Sequence, residues 1–501
     1  MQPVDLKKFK VEKNFCLITL ESGRKISGEF KLDGLDSYVE MHDSSEILSE
    51  IETQRNFFAV SRDGTRISFL NTIVRSRQTR HIGGERIYTV SAYPHIVAFG
   101  TEHITSSTSV SSLGFLLNDA EAIYHDINAF GTAIDPKRHI DGLLAQYADS
   151  TSQKIAAGPH PKIFFYSGNS NIVSAETTMG TITASHRISF SLPGPVGFSL
   201  TSEIYTQVDF PGPVPIDASM LKLFTLLRFF EVVAGRRQKI LDMYVLLEGD
   251  PYPTEISLYP CQGVVKGDAH GASPSPQDLP INGGLDPVNF GSVLSNWLTF
   301  DASRSDARSQ FSSGFSQGNR YNNQRLVNAA NMFDILPADA LPSDEPIDPE
   351  LVEARDAAKK LFKKLPPSIE RDSVLGALGR LGHKNLKQKV RHRVEIVQHA
   401  AGAHLPDLHL VTDEAVNCRN HYVHGTPGKI DYSGAAAPCL PFLTDTLEFV
   451  FATSEFIEAG WDFKEWRQRG TTMAHPWGAY VVDYRDRLRR LKSFFPVITK
   501  K

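Results

Sequence analysis

The sequence has few cysteines and no long apolar segment. Its four cysteines lie far apart among 501 residues and form no C-x-x-C pair. A disulfide framework and a structural zinc ribbon are therefore not expected. The most apolar runs, 221–234 and 442–457, are short and each contains three charged residues. The sequence thus predicts no membrane span.

A signal-peptide pattern and a strong net charge are also missing. The first residues, MQPVDLKKFKVEKN, are charged where a signal peptide has its apolar core. The net charge is only −4, so the overall charge indicates no particular partner. Length and composition together favour about two to four soluble domains in the cytoplasm, a reducing compartment.

The first 210 residues predict β structure. Short runs with apolar residues at every second position alternate with turn residues, and in the run 25–32 one face is apolar. The clearest hairpin pattern is Asp63-Gly64, which separates the runs 57–61 and 65–70. We therefore expect a β-sandwich or a barrel-like sheet of many short strands in this region.

Residues 211–335 form a mixed middle region. The predicted elements are a helix that Gly235 ends, two strands, a Pro/Gly/Ser-rich loop and a closing helix, at 216–234, 243–247, 255–259, 263–287 and 326–335. The stretch 301–324 is polar and rich in Ser, Asn and Arg, so we assign it no regular structure. Residues 336–348, rich in proline and acids, are predicted to be a linker.

Beyond the linker, the whole pattern is helical. Asp348-Pro349 supplies an N-cap residue and a proline at the first helical position. Helices are predicted at 350–365, 369–382, 386–400, 413–424, 441–458 and 477–494. Residues 349–501 should therefore form an all-α bundle, which makes the chain an α+β multidomain protein.

Basic residues are concentrated at the start of this bundle. Residues 355–393 contain twelve lysines and arginines but only three acids. Such an asymmetry is typical of a surface that binds a polyanion, with nucleic acid the first candidate, and Lys384, Lys387 and Arg391 are the expected RNA contacts. The alternative is a solvated, lysine-rich helix face.

The segment 418–425, CRNHYVHG, combines groups that suit phosphate chemistry. Thr412 is expected to cap this helix and Gly425 to end it, so His424 lies in the last turn. Asn420 and His424 are four residues apart and share a face, and the long side chain of Arg419 can reach the same point. His421 is a candidate for a further RNA contact.

The chemistry available to Arg419, Asn420 and His424 is specific. A guanidinium group binds phosphate bidentately, an imidazole transfers protons near neutral pH, and an amide orients its neighbours. Because no cluster of cysteines or acids accompanies the motif, we expect neither a metal nor a cofactor. The three residues suit metal-free cleavage of RNA by its own 2′-hydroxyl.

The bare spacing of Arg and His is a weak criterion. In the predicted helical region, residues 349–501, it occurs three times, as Arg393–His399, Arg419–His424 and Arg469–His475. We interpret the first as a basic helix face and the third as a loop. Among these three pairs, only Arg419 is followed at once by Asn, and only His424 is followed at once by Gly. The alternative to a catalytic role for this site is that its residues cap the helix and form pairs on the protein surface.

The motif resembles the hallmark of the HEPN superfamily, R-x(4–6)-H, often with a polar residue after the Arg. A long β-rich region, a linker, RNHYVHG and the stretch 475–480 (HPWGAY) together look like the ApeA family of anti-phage HEPN proteins. The HEPN resemblance covers about residues 349–495. Carried over by position, it assigns catalysis to Arg419, Asn420 and His424.

The resemblance implies a metal-independent endoribonuclease of the bacterial cytoplasm that halts infected cells by cutting RNA, tRNA in particular. It also implies a homodimer formed through the HEPN helices. The N-terminal region would then sense a phage-derived protein trigger. The alternative is a non-catalytic HEPN module for nucleic-acid binding or dimerisation, joined to a β-rich domain that binds a ligand or a protein.

Overall fold

The computed structural model divides the chain into two compact units, Met1–Leu298 (unit 1) and Thr299–Lys501 (unit 2). The structure describes residues 13–46, 48–150, 156–192, 194–249, 254–262, 273–315, 317–341, 348–382, 384–470 and 472–495. Residues 342–347 of the predicted linker and residues 263–272 of the predicted loop lie outside the described residues. The division between the units differs from the predicted boundaries at 210 and 335.

Unit 1 is built on one 14-stranded sheet in which every neighbouring pair is antiparallel. The order is β12-β13-β14-β9-β15-β16-β8-β5-β4-β1-β2-β3-β7-β6. Its strands are β1 Asn14–Thr19, β2 Lys25–Lys31, β3 Tyr38–Asp43, β4 Phe57–Ser61, β5 Arg66–Leu70, β6 Ile73–Ile82, β7 Glu85–Tyr93, β8 Ile96–Gly100, β9 Ser109–Leu117, β12 Asn171–Thr177, β13 Gly180–Phe190, β14 Leu200–Pro215, β15 Ile240–Leu247 and β16 Glu255–Pro260. A separate pair consists of β10 Phe130–Thr132 and β11 Phe164–Tyr166.

The apolar alternation predicted for residues 25–32 is confirmed in β2. Ile26 and Phe30 are buried in the core that β1 to β5 share with β7 and β8. Gly28 lies between them on the same face, where a Cβ atom would approach Ile18 Cδ1 to 2.4 Å. Glycine is therefore needed for β1 to pack here. The hairpin at Asp63-Gly64 is also confirmed, with Gly64 at φ +84° between β4 and β5.

The helices of unit 1 are α1 Leu48–Ile51, α2 Ala120–Ile123, α3 Lys137–Ser150 and α4 Ile216–Ala234. Helix α4 is buried along most of its length and ends at Gly235, whose left-handed backbone (φ 68°) confirms the predicted stop. A further helix, α5 Pro287–Phe315, extends across the division between the units.

Unit 2 is helical in all its described elements. After α5 follow α6 Asn323–Asp334, α7 Pro349–Lys363, α8 Ile369–Gly379, α9 Leu386–Ala401, α10 Leu408–His424, α11 Leu440–Glu458, α12 Phe463–Gln468 and α13 Pro476–Ser493. The predicted α+β class, with an all-α C-terminal bundle, is therefore confirmed. The short helix α12 was not predicted. Among the described residues, no helix combines the length and the apolar character needed to cross a membrane.

The prediction that residues 301–324 lack regular structure is wrong for 301–315, which belong to α5, and for 323–324, which begin α6. Arg304 and Arg308 of this helix are buried, and both donate to the carboxylate of Glu455 on α11. The polar composition that suggested disorder is thus part of an interior ion cluster. Sequence composition does not distinguish an arginine in water from one paired inside a bundle.

Glu455 is the centre of this cluster. Its Oε1 accepts from Arg304 Nη1 at 2.7 Å and from Arg393 Nη2 at 2.9 Å, and its Oε2 accepts from Arg308 Nε at 2.9 Å. Glu458, one turn closer to the end of α11, also accepts from Arg393, at 2.7 Å. Arg393 is fully buried, so its interpretation as part of a basic helix face is wrong.

The charges of this cluster balance one another, because Asp301 also accepts from Arg308, at 3.2 Å, and brings the carboxylates to three. Burial acts to raise the pKa of Glu455, but Arg308, Arg393 and Arg304 together outweigh that effect and lower the pKa below its ordinary value. The carboxylate is therefore ionised at neutral pH. Removing one member of such a group leaves the remaining charges buried and uncompensated, which costs far more than the loss of a surface pair.

Replacing Glu455 with alanine should lower the free energy of unfolding of unit 2 by about 3–5 kcal/mol, because three buried guanidinium groups lose the carboxylate that they share and keep only Glu458 and Asp301 as acidic partners. Urea denaturation followed by tryptophan fluorescence would measure this, since three of the four tryptophans, at 461, 466 and 477, lie in unit 2. The matched control is Asp486→Ala, which removes an exposed pair with Arg489 and should cost under about 1 kcal/mol. Equal effects of the two substitutions would contradict the central role of Glu455.

Candidate functional site

The motif lies at the C-terminal end of α10. This helix begins at Leu408, after Asp407, so the N-cap predicted at Thr412 is wrong. Thr412 lies inside the helix, where its Oγ1 donates to the carbonyl oxygen of Leu408 at 3.1 Å. The predicted stop is confirmed, because Gly425 has a left-handed backbone (φ 66°) and its N–H donates to the carbonyl of His421. His424 is therefore exposed in the last turn.

The three predicted catalytic side chains contact one another. Arg419 Nη1 lies 3.1 Å from Asn420 Oδ1 and 3.0 Å from His424 Nε2. A guanidinium group only donates, so Nε2 of His424 accepts and the proton of the neutral imidazole lies on Nδ1. The structure thus places a cation, an amide and an imidazole at one exposed helix end, with the acceptor nitrogen of the imidazole turned toward the guanidinium group.

A fourth polar group comes from α6. Asn331 Oδ1 accepts from Arg419 Nη2 at 3.2 Å, so Arg419 is oriented from two helices. Sequence reasoning missed Asn331, because it lies before the predicted linker, in the closing helix of the middle region. No spacing rule joins it to residues almost 90 positions later. Only the packing of α6 against α10 brings the two together.

Helix α6 is itself held in place by a buried ion pair. Arg325 Nε and Nη2 each lie 2.8 Å from a carboxylate oxygen of Glu448 on α11. Burial raises the pKa of Glu448, and Arg325 offsets this only in part. The bidentate geometry fixes the rotation of α6 on α11. The same helix then presents Asn331 to Arg419.

Two family models match the chain. The model described as ApeA N-terminal domain 1 covers residues 15–297, and the model described as Apea-like HEPN covers residues 327–465. The first alone covers more than half of the chain. The chain belongs to the ApeA family. Searches of curated proteins and of solved structures gave no match.

ApeA membership confirms the resemblance drawn from the motif and places the chain in a family of anti-phage HEPN effectors. HEPN domains are typically nuclease-like, and they generally dimerise and bind RNA. The matched HEPN range begins at 327, inside α6, and so contains both Asn331 and the motif.

The segment that follows the motif folds back onto α10. Tyr432 Oη donates to the buried Glu414, and Tyr422 Oη donates to the carbonyl of Tyr432 at 3.1 Å. Burial, followed by the contact with Glu414, raises the pKa of Tyr432, so its hydroxyl stays protonated as a donor. Burial raises the pKa of the Cys418 thiol to about 12, so this cysteine is a neutral packing group beside the motif.

His421, the predicted further RNA contact, has a contact within the domain. Its Nδ1 lies 3.1 Å from the carbonyl oxygen of Thr426 and therefore donates to it, while the half-buried ring packs against Tyr422 and Tyr432. The ring thus anchors the turn that follows His424. A role in RNA binding stays a prediction.

The predicted basic contacts lie around the start of α9. Lys387 and Arg391, one turn apart, both contact Asp413 of α10, with Arg391 Nε 2.9 Å from Oδ1 and Lys387 Nζ 3.4 Å from Oδ2. Lys384 precedes this helix by two residues. Two of the three cations therefore share one counterion, which leaves the group with a reduced positive charge.

The metal-ligand geometry found in the described residues lies in unit 1 and not at the motif. It consists of Glu29, Glu40 and His42 on β2 and β3. Lys13 Nζ lies 2.5 Å from Glu29 Oε1, so a cation of the chain itself already neutralises that carboxylate. The residues at the end of α10 offer proton transfer and anion binding.

Proposed function

We propose that this ApeA-family chain is a metal-independent endoribonuclease of the bacterial cytoplasm that acts in abortive infection, with tRNA as its substrate. One observation carries the proposal: Arg419 and His424 Nε2 lie within hydrogen-bonding distance at an exposed helix end. A guanidinium group that binds phosphate and an imidazole that transfers a proton both suit metal-free phosphodiester cleavage.

The division of roles follows from the groups. Arg419 binds the scissile phosphate and stabilises the charge that develops on its oxygens. His424 takes the proton from the 2′-hydroxyl, whose oxygen attacks phosphorus while the bond to the 5′-oxygen breaks. The products are a 2′,3′-cyclic phosphate and a 5′-hydroxyl. Asn420 and Asn331 orient the guanidinium group.

A single motif is chemically incomplete for this reaction. One proton must be taken from the 2′-hydroxyl and another given to the leaving oxygen, whereas each motif contributes one catalytic imidazole in His424. Two copies related by a two-fold axis supply both groups. The proposed active form is therefore a homodimer in which the motifs of two HEPN domains face a shared cleft.

Unit 1 is proposed to bind a phage-derived protein that acts as the trigger. The hairpin between β13 and β14 exposes large apolar side chains, with Phe190 70 %, Leu192 80 % and Phe198 59 % exposed. Exposed apolar patches of this kind mark surfaces that bind proteins. This surface supports a sensing role for unit 1 while unit 2 carries the nuclease chemistry.

Arg419→Ala and His424→Ala should each abolish RNA cleavage and leave the unfolding transition nearly unchanged, because neither side chain is part of the core. The loss of a charge-stabilising or proton-transfer group costs on the order of 10²–10⁴ in rate. Cleavage of tRNA should be assayed in excess EDTA, with the ends analysed for 2′,3′-cyclic phosphate.

The variant Asn331→Ala gives a graded comparison. It removes one acceptor of Arg419 and should lower the rate less than Arg419→Ala does. Full cleavage by His424→Ala would contradict the mechanism and favour the alternative of a non-catalytic HEPN module. Loss of activity in EDTA that Mg²⁺ restores would require a metal mechanism.

If Lys384, Lys387 and Arg391 bind the RNA backbone, their joint replacement with glutamine should weaken binding and flatten its salt dependence. Each phosphate contact contributes about 0.7–0.9 to the log–log slope, so the slope should fall by about 2. The matched control is Asp413→Asn, which frees Lys387 and Arg391 from their counterion and should strengthen binding. An unchanged slope in the triple variant would assign these residues to a solvated helix face.

A composite site makes a distinct prediction for mixed dimers. Dimers of one wild-type chain and one His424→Ala chain contain a single catalytic imidazole and should cut far more slowly than half the wild-type rate. Differently tagged chains, purified as mixed pairs, allow this rate to be measured directly. Mixed dimers of two wild-type chains with the same tags are the control. A rate of one half would show that each protomer acts alone.

A further inference from the structure

Helices α7 and α8 form a hairpin with no buried residue in either helix. The two helices pack on each other, and Arg371 of α8 ties the pair together, since its Nε donates to the carbonyl of Phe362 at 3.0 Å. Ser368 caps α8 by accepting from the N–H of Arg371. The hairpin is thus well defined internally but leaves apolar side chains in solvent.

Four apolar residues of α7 follow a heptad pattern. Leu351, Ala354, Ala358 and Leu361 are spaced by three, four and three residues, the spacing of a and d positions in a coiled coil. Leu351 is 52 % exposed and Leu361 63 % exposed. Val352 and Phe362, at other positions of the heptad, are partly buried. The heptad seam of α7 is therefore exposed at Leu351, Ala354 and Leu361, whereas Ala358 is partly buried.

Charge is segregated along the same helix. The first part, 350–356, contains Glu350, Glu353 and Asp356 with one arginine, and the second part, 357–364, contains four lysines and no acid. This order suits the dipole of a single helix, so charge alone does not require a partner. An apolar seam on a helix with acids in its first part and lysines in its second part does favour a particular partner. Such a partner places its lysines beside these acids and its acids beside these lysines.

We propose that α7 pairs antiparallel with α7 of a second copy of this chain, about a two-fold axis near residue 356. In this register Leu351 of each copy packs against Leu361 of the other, and Ala354 packs against Ala358. The small alanines in the middle let the backbones approach closely, and the leucines close both ends. Glu350 of each copy then lies beside Lys364 of the other.

The sequence of α7 fits a second copy better than RNA. A strand of RNA along this seam would meet the three acids of the first part as well as the lysines of the second. A parallel pair of helices would bring acids beside acids and lysines beside lysines. Only the antiparallel pair satisfies both the seam and the charges. This contact does not depend on the nuclease chemistry and is testable without RNA.

Disulfide trapping distinguishes these arrangements. Two differently tagged full-length chains, one Ala354→Cys and one Ala358→Cys, are mixed and mildly oxidised in the absence of RNA. The mixed 354–358 disulfide should form about tenfold faster than either self-disulfide, because a disulfide needs Cα atoms within about 7 Å. The native cysteines are buried and do not compete.

Two comparisons complete the experiment. Pairing Ala354→Cys with Lys360→Cys, which lies on the outer side of α7, should give little cross-linking. Glu350→Lys and Lys364→Glu should each slow the mixed 354–358 disulfide, and the two substitutions combined in both chains should restore it. These results would support the antiparallel pair.

Three outcomes would overturn it. Faster self-disulfides than mixed ones would show a parallel pair, and equal rates for the 354–358 and 354–360 mixtures would show random collision. Cross-linking that appears only after RNA is added would assign the hairpin to the RNA. Because cleavage is not measured, failure here would leave the proposed nuclease function to be decided by His424→Ala alone.

Discussion

The arrangement of unit 2 depends on one buried carboxylate. Glu455 of α11 accepts hydrogen bonds from three arginines, two on α5 and one on α9. A buried ion cluster adds little net stability compared with apolar packing, but it tolerates few alternative arrangements, since a shift of one helix leaves a charge unpaired. Its main effect is therefore to fix where α5 and α9 lie on α11.

Helix α11 fixes the geometry of the candidate active site through two sets of contacts. Through Arg325 and Glu448, α11 holds α6, which places Asn331 against Arg419. Through Arg393, it holds α9, whose Arg391 pairs with Asp413 of α10. The motif helix is thus positioned on both sides by polar contacts that lead back to one helix. A site built in this way can be exposed and still keep its side chains in fixed positions.

Local patterns predicted what local chemistry determines. The stop at Gly425, the hairpin at Asp63-Gly64 and the alternation in β2 depend on residues close in sequence, and all three were predictable. The roles of Arg393, Arg304 and Asn331 were not, because each depends on a partner more than 60 positions away. The start of α10 at Leu408 could not be predicted for the same reason. Asp407, which precedes this helix, pairs with the distant Lys492 and does not cap the helix through its side chain.

The two proposed contacts between copies of the chain, one at the motif and one at α7, together limit which assemblies the chain can form. A dimer that joins two motifs and a dimer that joins two α7 helices are both isologous, so each has its own two-fold axis. If the two axes coincide, the chain forms a closed dimer in which α7 brings the motifs together. If they differ, every chain has two separate self-complementary surfaces, and the chains link into larger assemblies. The mass of the intact assembly at low concentration therefore decides whether α7 completes the active site or connects one active dimer to the next.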